Sequence, residues 1–163
     1  MIQGGKMALK IGDKAPAIVL PNQDNQMVDL DDLLGKWLVI YFYPKDNTPG
    51  CIIEAKDFSC LQEEFAQAGV QVVGISKDSI QSHQRFISKQ ELSLQLLSDA
   101  DLTTIKAYDT WRKKKMYGKS FLGVIRSTFL IDPRGDINEA WYNVKAKEHA
   151  QKVLEEVRKK ISK

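Results

Sequence analysis

Seven consecutive apolar residues, Trp37 to Tyr43, are cut off by Pro44 and followed at once by a polar loop and a segment with helical periodicity. A run this short, rich in aromatic and β-branched side chains, reads as a strand buried on both faces. Such a strand belongs in the middle of a sheet covered by helices, so it sets an α/β architecture around itself. Pro44 ends the strand, Lys45, Asp46 and Asn47 form the loop, and Thr48-Pro49-Gly50-Cys51 opens the helix. Thr is a favoured N-cap and Pro a favoured first helical residue. Cys51 then stands third in the helix, among backbone N–H groups that have no partner inside it. Those groups and the helix dipole favour the thiolate over the thiol. Cys51 is therefore a candidate nucleophile; the alternative is a small buried hydrophobe.

The rest of the chain alternates strand and helix signals. Ala17 to Leu20 and Met27 to Leu30 are strand candidates, and Asp31 can cap a helical turn that ends at Gly35. The Cys51 helix runs to near Gly69, with Phe58, Leu61 and Phe65 on the same stripe as Cys51 and Ala55, and Cys60 facing outward. Val70 to Ser76 is a second buried strand. A helix capped by Ser79 or Ser82 ends near Lys89. Leu94 to Leu97 is a strand, and Ser98-Asp99 starts a helix through Tyr108. Trp111 to Gly123 reads as a basic, irregular loop. Ile125 to Ile131 is an apolar strand interrupted by Arg126, Pro133 to Asp136 is a turn, and Ile137 to Tyr142 returns as the hairpin partner. Lys147 to Ile161 is an amphipathic helix.

The 163 residues, 43% hydrophobic and 28% charged, suffice for one domain with a substantial core. The expected division is a loose leader over residues 1–8 and a single domain over 9–163. A net charge of +3 is too small to imply nucleic acid, so Arg112 to Lys115 and Arg158 to Lys160 read as solvated faces. No apolar run reaches the length of a membrane span, and MIQGGKMALK lacks the apolar core of a signal peptide, which makes the cytoplasm the expected location. Two cysteines make no disulfide framework.

Pro44, Thr48 and Cys51 spell P-x-x-x-T-x-x-C. Together with YFYPKDNTPGC (Tyr41 to Cys51), Asp13-Lys14-Ala15-Pro16, Gly74-Ile75-Ser76, Leu97-Ser98-Asp99 and Ser127-Thr128-Phe129-Leu130-Ile131-Asp132, this pattern resembles the peroxiredoxins. Within them it is similar to the Q type, or bacterioferritin comigratory proteins, from about Leu9 to about Leu154. The resemblance implies a thioredoxin-like fold with an N-terminal extension, and a thiol-dependent peroxidase acting on hydrogen peroxide or organic hydroperoxides. It implies no metal, haem or flavin. Thioredoxin, glutaredoxin or a small thiol would return the electrons, and the protein would be a monomer without nucleic-acid or membrane partners. Cys51 becomes the peroxide-attacking sulfur, Thr48 a peroxide ligand and Pro44 the residue that shields the sulfur side of the pocket. Arg126 read alone is either an exposed residue of the hairpin or the partner of a buried anion; the match of GVIRSTFLID to the family strand places it in the site. Its charge would then lower the pKa of the thiol. A non-catalytic redox sensor, oxidised at Cys51 and read by a partner protein, is the alternative.

Other chemistry finds little support. Tyr41 and Tyr43 are expected in the core. His83 and His149 are expected at the surface, without metal-ligand spacing to a cysteine. There is no C-x-x-C pair and no phosphate loop.

The pattern also departs from the family. Many Q-type proteins carry a second, resolving cysteine five residues after the first, where this chain has Lys56; Ser79 to Lys89, another place for it, has none. Cys60 is left as a displaced resolver, unless an outside thiol serves. In an intact helix Cys51 and Cys60 stand roughly 13 Å apart along the axis, whereas a disulfide needs Cα atoms within about 7 Å. The basic stretch Trp111 to Tyr117 is a further departure.

Overall fold

The computed structural model describes residues 8–161, so all but the last residue of the expected leader lies outside the described residues. Its centre is the apolar run, now β3 (Trp37–Phe42), with Leu38 to Phe42 all buried. Two short strands, β1 (Val19–Pro21) and β2 (Met27–Asp29), and α1 (Leu30–Leu33) precede it. After it come α2 (Pro49–Cys60), α3 (Gln62–Gln67), β4 (Val70–Ser76), α4 (Ile80–Gln90), β5 (Gln95–Ser98) and α5 (Thr103–Ala107). Then follow β6 (Trp111–Met116), β7 (Lys119–Val124), β8 (Ser127–Ile131), β9 (Ile137–Trp141) and α6 (His149–Ile161).

Five strands form the main sheet in the order β9-β8-β3-β4-β5. β3 pairs in parallel with β4, Trp37 opposite Val70, and antiparallel with β8, Leu38 opposite Ile131. Side chains alternate across a strand, so β3 feeds two cores. Val39, Tyr41 and Tyr43 pack with Cys51, Phe58, Phe65, Phe86 and Leu154, beneath α2, α3, α4 and α6. Leu38, Ile40 and Phe42 pack with Ile105, Tyr108, Phe129 and the N-terminal residues Leu9, Ile18 and Leu30. Gly74 on β4 lets the Tyr41 ring lie across the sheet, since a Cβ there would come within 2.8 Å of Tyr41 Cζ.

The α/β expectation holds, with local corrections. Asp29, not Asp31, caps α1 by accepting from the Asp31 N–H. Ser79 is the cap of α4. The helix expected to run to Gly69 breaks at Leu61 into α2 and α3. The expected helix from Ser98 is confined to α5, because the Asp99 carboxylate instead accepts from the Ile105 N–H and shapes its entry. Trp111 to Val124 is not an irregular loop but a hairpin, β6 against β7, turning at Tyr117 and Gly118 with both φ positive. That is the geometry of two-residue hairpin turns. Lysines on both faces of β6 hide the alternation that marks a strand in sequence.

Candidate active site

Tyr43 extends β3 by one hydrogen bond, its N–H donating to Ile75 O at 3.1 Å. Pro44, half-buried, then turns the chain out of the sheet, and Thr48 takes the extended conformation of an N-cap. Thr48 O accepts from the Ile52 N–H, and Pro49 is the first helical residue. The Thr48 side chain does not cap the helix; its hydroxyl donates to Lys45 O at 2.8 Å. With that proton committed, Oγ1 presents acceptor lone pairs. With its proton on that bond, the hydroxyl does not donate to the sulfur.

Cys51 is third in α2 and 1% exposed. Arg126 Nη2 donates to its Sγ at 3.6 Å, and Nη1 donates to Glu54 Oε1 at 2.7 Å. Arg126 does not interrupt a strand. It lies between β7 and β8, where its carbonyl accepts from the Val144 N–H at 2.9 Å and its side chain reaches over the first turn of α2. Gly50 makes room, since a Cβ there would meet Arg126 Nη2 at 2.9 Å. Burial works against the charge on Arg126, but Glu54 and Cys51 outweigh it and raise its pKa. The guanidinium stays charged beside the sulfur.

Glu54 was not singled out in the sequence. The available signal was its position: three residues after Cys51, on the same face of the helix. It is fully buried, and burial pushes its carboxyl up to about 7 against the pull of Arg126. Tyr41 stacks on Phe58 with ring centroids 4.6 Å apart. Its hydroxyl is held far above the ordinary tyrosine range by burial, then by Glu54 and Cys51, so it remains a neutral phenol.

Both histidines are buried, contrary to expectation. His83 Nδ1 lies 2.8 Å from Asp46 Oδ2, and Nε2 lies 3.0 Å from Leu97 O. The same carboxylate accepts from the hydroxyls of Tyr43 at 2.6 Å and Ser82 at 2.8 Å. A polar sequence, SIQSHQRF, concealed this because the polar partners wait inside, on the loop before α2. His149 bonds Thr128 Oγ1 at 2.7 Å and packs edge-on to Phe58 and Trp141. Burial, then Arg126 and Lys152, lower its pKa to about 4, so it is neutral at pH 7.

Cys60 ends α2 and is exposed, at the far end of the helix from Cys51. Ser59 next to it accepts from the Ser93 N–H, which ties this end of α2 to the loop before β5. The structure thus gathers Cys51, Thr48, Arg126 and Pro44 around the start of α2 and leaves Cys60 apart. Among the described residues, no cluster of His, Cys, Asp and Glu is arranged to hold a metal ion, and no helix is long and apolar enough to cross a membrane.

Several known proteins are similar to this chain. The model of the AhpC/TSA family matches residues 11–140. A putative peroxiredoxin bcp of Helicobacter pylori is 53% identical over 147 residues, 90% of this chain and 97% of that protein. Peroxiredoxin Bcp of Bacillus subtilis is 42% identical over 91% of this chain and 95% of its own length. A structure of Xanthomonas campestris peroxiredoxin Q superposes with a TM-score of 0.84 at 43% identity, over 88% of this chain and 91% of that one. A further structure of the bacterioferritin comigratory protein of that organism, similar at a TM-score of 0.84 and 42% identity, concerns its alkyl peroxide reduction activity.

Proposed function

The chain belongs to the AhpC/TSA family, as a thioredoxin-like peroxiredoxin of the Bcp or Q type and hence a thiol-dependent peroxidase, and we propose that Cys51 is the sulfur that reduces the peroxide. The thiolate attacks the distal oxygen of ROOH. The S–O bond forms as the O–O bond breaks, the sulfur is oxidised to a sulfenic acid, and RO⁻ leaves to take up a proton as ROH. A first thiol condenses with the sulfenic acid, forming a mixed disulfide and releasing water. A second thiol attacks that disulfide, which regenerates Cys51 and leaves the reductant oxidised.

The observation that carries this reading is the Arg126 guanidinium, bonded at once to Cys51 Sγ and Glu54. It supports the thiolate before attack and stands beside the charge that grows on the leaving oxygen. Thr48 Oγ1, whose hydroxyl donates to Lys45 O, accepts a hydrogen bond from the bound hydroperoxide and aims the distal oxygen at the sulfur. Pro44 closes the sulfur side of the pocket.

The reading extends to a single domain from residue 9 onward, a monomer in the cytoplasm, with thioredoxin, glutaredoxin or a small thiol as reductant and Cys60 as the one internal candidate for resolving. Peroxide consumption in the presence of each reductant, for the parent and Cys51→Ser, tests the assignment. The substitution removes all turnover while the far-UV circular dichroism is retained; turnover near the parent's in that variant would falsify it.

A further inference from the structure

The β6–β7 hairpin carries one lysine that differs from its neighbours. Lys113 and Lys115 are exposed, whereas Lys114 is half-buried. In the hairpin register Lys114 pairs with Phe121 and Arg112 with Gly123, so these four residues share one face. A Cβ on Gly123 would lie 3.0 Å from Lys114 Cδ and 3.5 Å from Phe121 Cε2. The bare glycine leaves a slot along which the lysine stem lies, beside the Phe121 ring, and an added Cβ would crowd the stem. The stem delivers Nζ to Val124 O at 3.0 Å, two positions before Arg126. Burial, then Arg126, lower the pKa of Lys114, while Cys51 pulls it upward, so the ammonium is in the electrostatic field of the site.

We propose that Lys114 is a positioning residue of the peroxide site: from its slot over Gly123 its ammonium holds the Val124 carbonyl, fixes the segment from which Arg126 reaches Cys51, and adds a second positive charge to the field around the sulfur. The proposal rests on the reading of Cys51 as the reacting sulfur. The groups around this sulfur come from β6, α2, β3 and the segment between β7 and β8. Arg126 and Lys114 favour the thiolate. Glu54, when ionised, draws on the same guanidinium, and Tyr41 is a neutral phenol.

The test is the pH profile of Cys51 alkylation by iodoacetamide, in a Cys60→Ser background so that one thiol reports. Lys114→Met, which keeps the stem and removes the charge, moves the midpoint up by about half a pH unit and slows alkylation at neutral pH about threefold. Lys114→Arg recovers most of the shift. Gly123→Ala, whose methyl crowds the lysine stem, moves the midpoint in the same direction by a smaller amount and adds nothing on top of Lys114→Met. A Lys114→Met profile that superimposes on the parent overturns the proposal, as does a Lys114→Arg profile displaced as far as that of Met. Lys114→Gln serves as the charge-removing variant if Lys114→Met does not fold. Alkylation needs no peroxide, so a parent that fails to consume peroxide would count against the enzymatic reading while leaving the charge coupling separately decided.

Discussion

Arg126 Nη2 lies 3.6 Å from Cys51 Sγ although 75 positions separate the two residues in the chain. Two local features create the contact. β3 and β8 are adjacent in the sheet, so the end of one and the start of the other meet at the same edge. Gly50 leaves the first turn of α2 bare, and the guanidinium crosses it. The same side chain holds Glu54, so one cation serves a sulfur and a carboxylate.

Arg126→Met removes that cation and keeps most of the apolar volume. The midpoint of Cys51 reactivity against pH rises by about one unit or more, and oxidation by hydrogen peroxide at pH 7 slows about tenfold or more. Stopped-flow oxidation across a pH series measures both. Arg126→Lys restores little, because one ammonium cannot present the guanidinium's paired donors to sulfur and carboxylate together. An unchanged profile in Arg126→Met would remove Arg126 from the site.

Glu54 links stability to pH. Its folded-state pKa is raised from 4.5 to about 7, chiefly by burial. Between those values the folded chain binds the proton more tightly than the unfolded chain, so stability falls as pH rises through the window. The group contributes roughly 3 kcal/mol of such loss once pH exceeds 7. Glu54→Gln still accepts from Arg126 but does not titrate. Urea midpoints measured from pH 4.5 to 8 should be visibly flatter for this variant than for the parent. Equal slopes would mean that the carboxyl is ionised throughout.

The Asp46–His83 pair, buried on both sides, holds the loop before α2 against α4. Replacing one member leaves the other buried and unpaired. Asp46→Leu or His83→Leu alone should therefore cost about 3–5 kcal/mol, whereas the double replacement recovers part of it. Denaturant unfolding of the three variants checks this cycle. Additive single losses would show that the two side chains do not act as a pair.

Much of the site was legible because its chemistry is local. Thr48, Pro49 and Cys51 announce a capped helix with a cysteine in its first turn, and β3 announces itself by seven apolar residues. What escaped depends on contacts between distant segments. Glu54 looks like an ordinary helical carboxylate until Arg126 arrives from a segment 72 positions away. His83 looks exposed in a polar helix until Asp46 and Leu97 O are placed on its two nitrogens. The β6–β7 hairpin carries lysines on both faces, and its turn is made by Tyr117 and Gly118 at positive φ, which single-sequence patterning does not signal. The fold family came through motif resemblance; periodicity alone would have stopped at α/β.

Cys60 bears on how the sulfenic acid is resolved. It is exposed at the last residue of α2, and closing on Cys51 requires that most of the helix unwind. A thiol in solution needs no such opening. Cys60→Ser should keep most turnover with a small-thiol reductant and lose little stability, by steady-state assay and thermal melt. If oxidised monomers instead carry a quantitative Cys51–Cys60 disulfide, Cys60 is the resolver, and amide exchange over residues 52–59 should rise on oxidation.

The most direct test of the central claim, that Cys51 is the peroxide-reducing sulfur, is the intact mass and peptide map of the parent and Cys51→Ser after one equivalent of hydrogen peroxide in the presence of a sulfenic-acid trap. The account predicts one trapped adduct on Cys51 in the parent and none in Cys51→Ser, whose Cys60 stays reduced on the same time scale. Rapid trapping at Cys60 with Cys51 unmodified would contradict it.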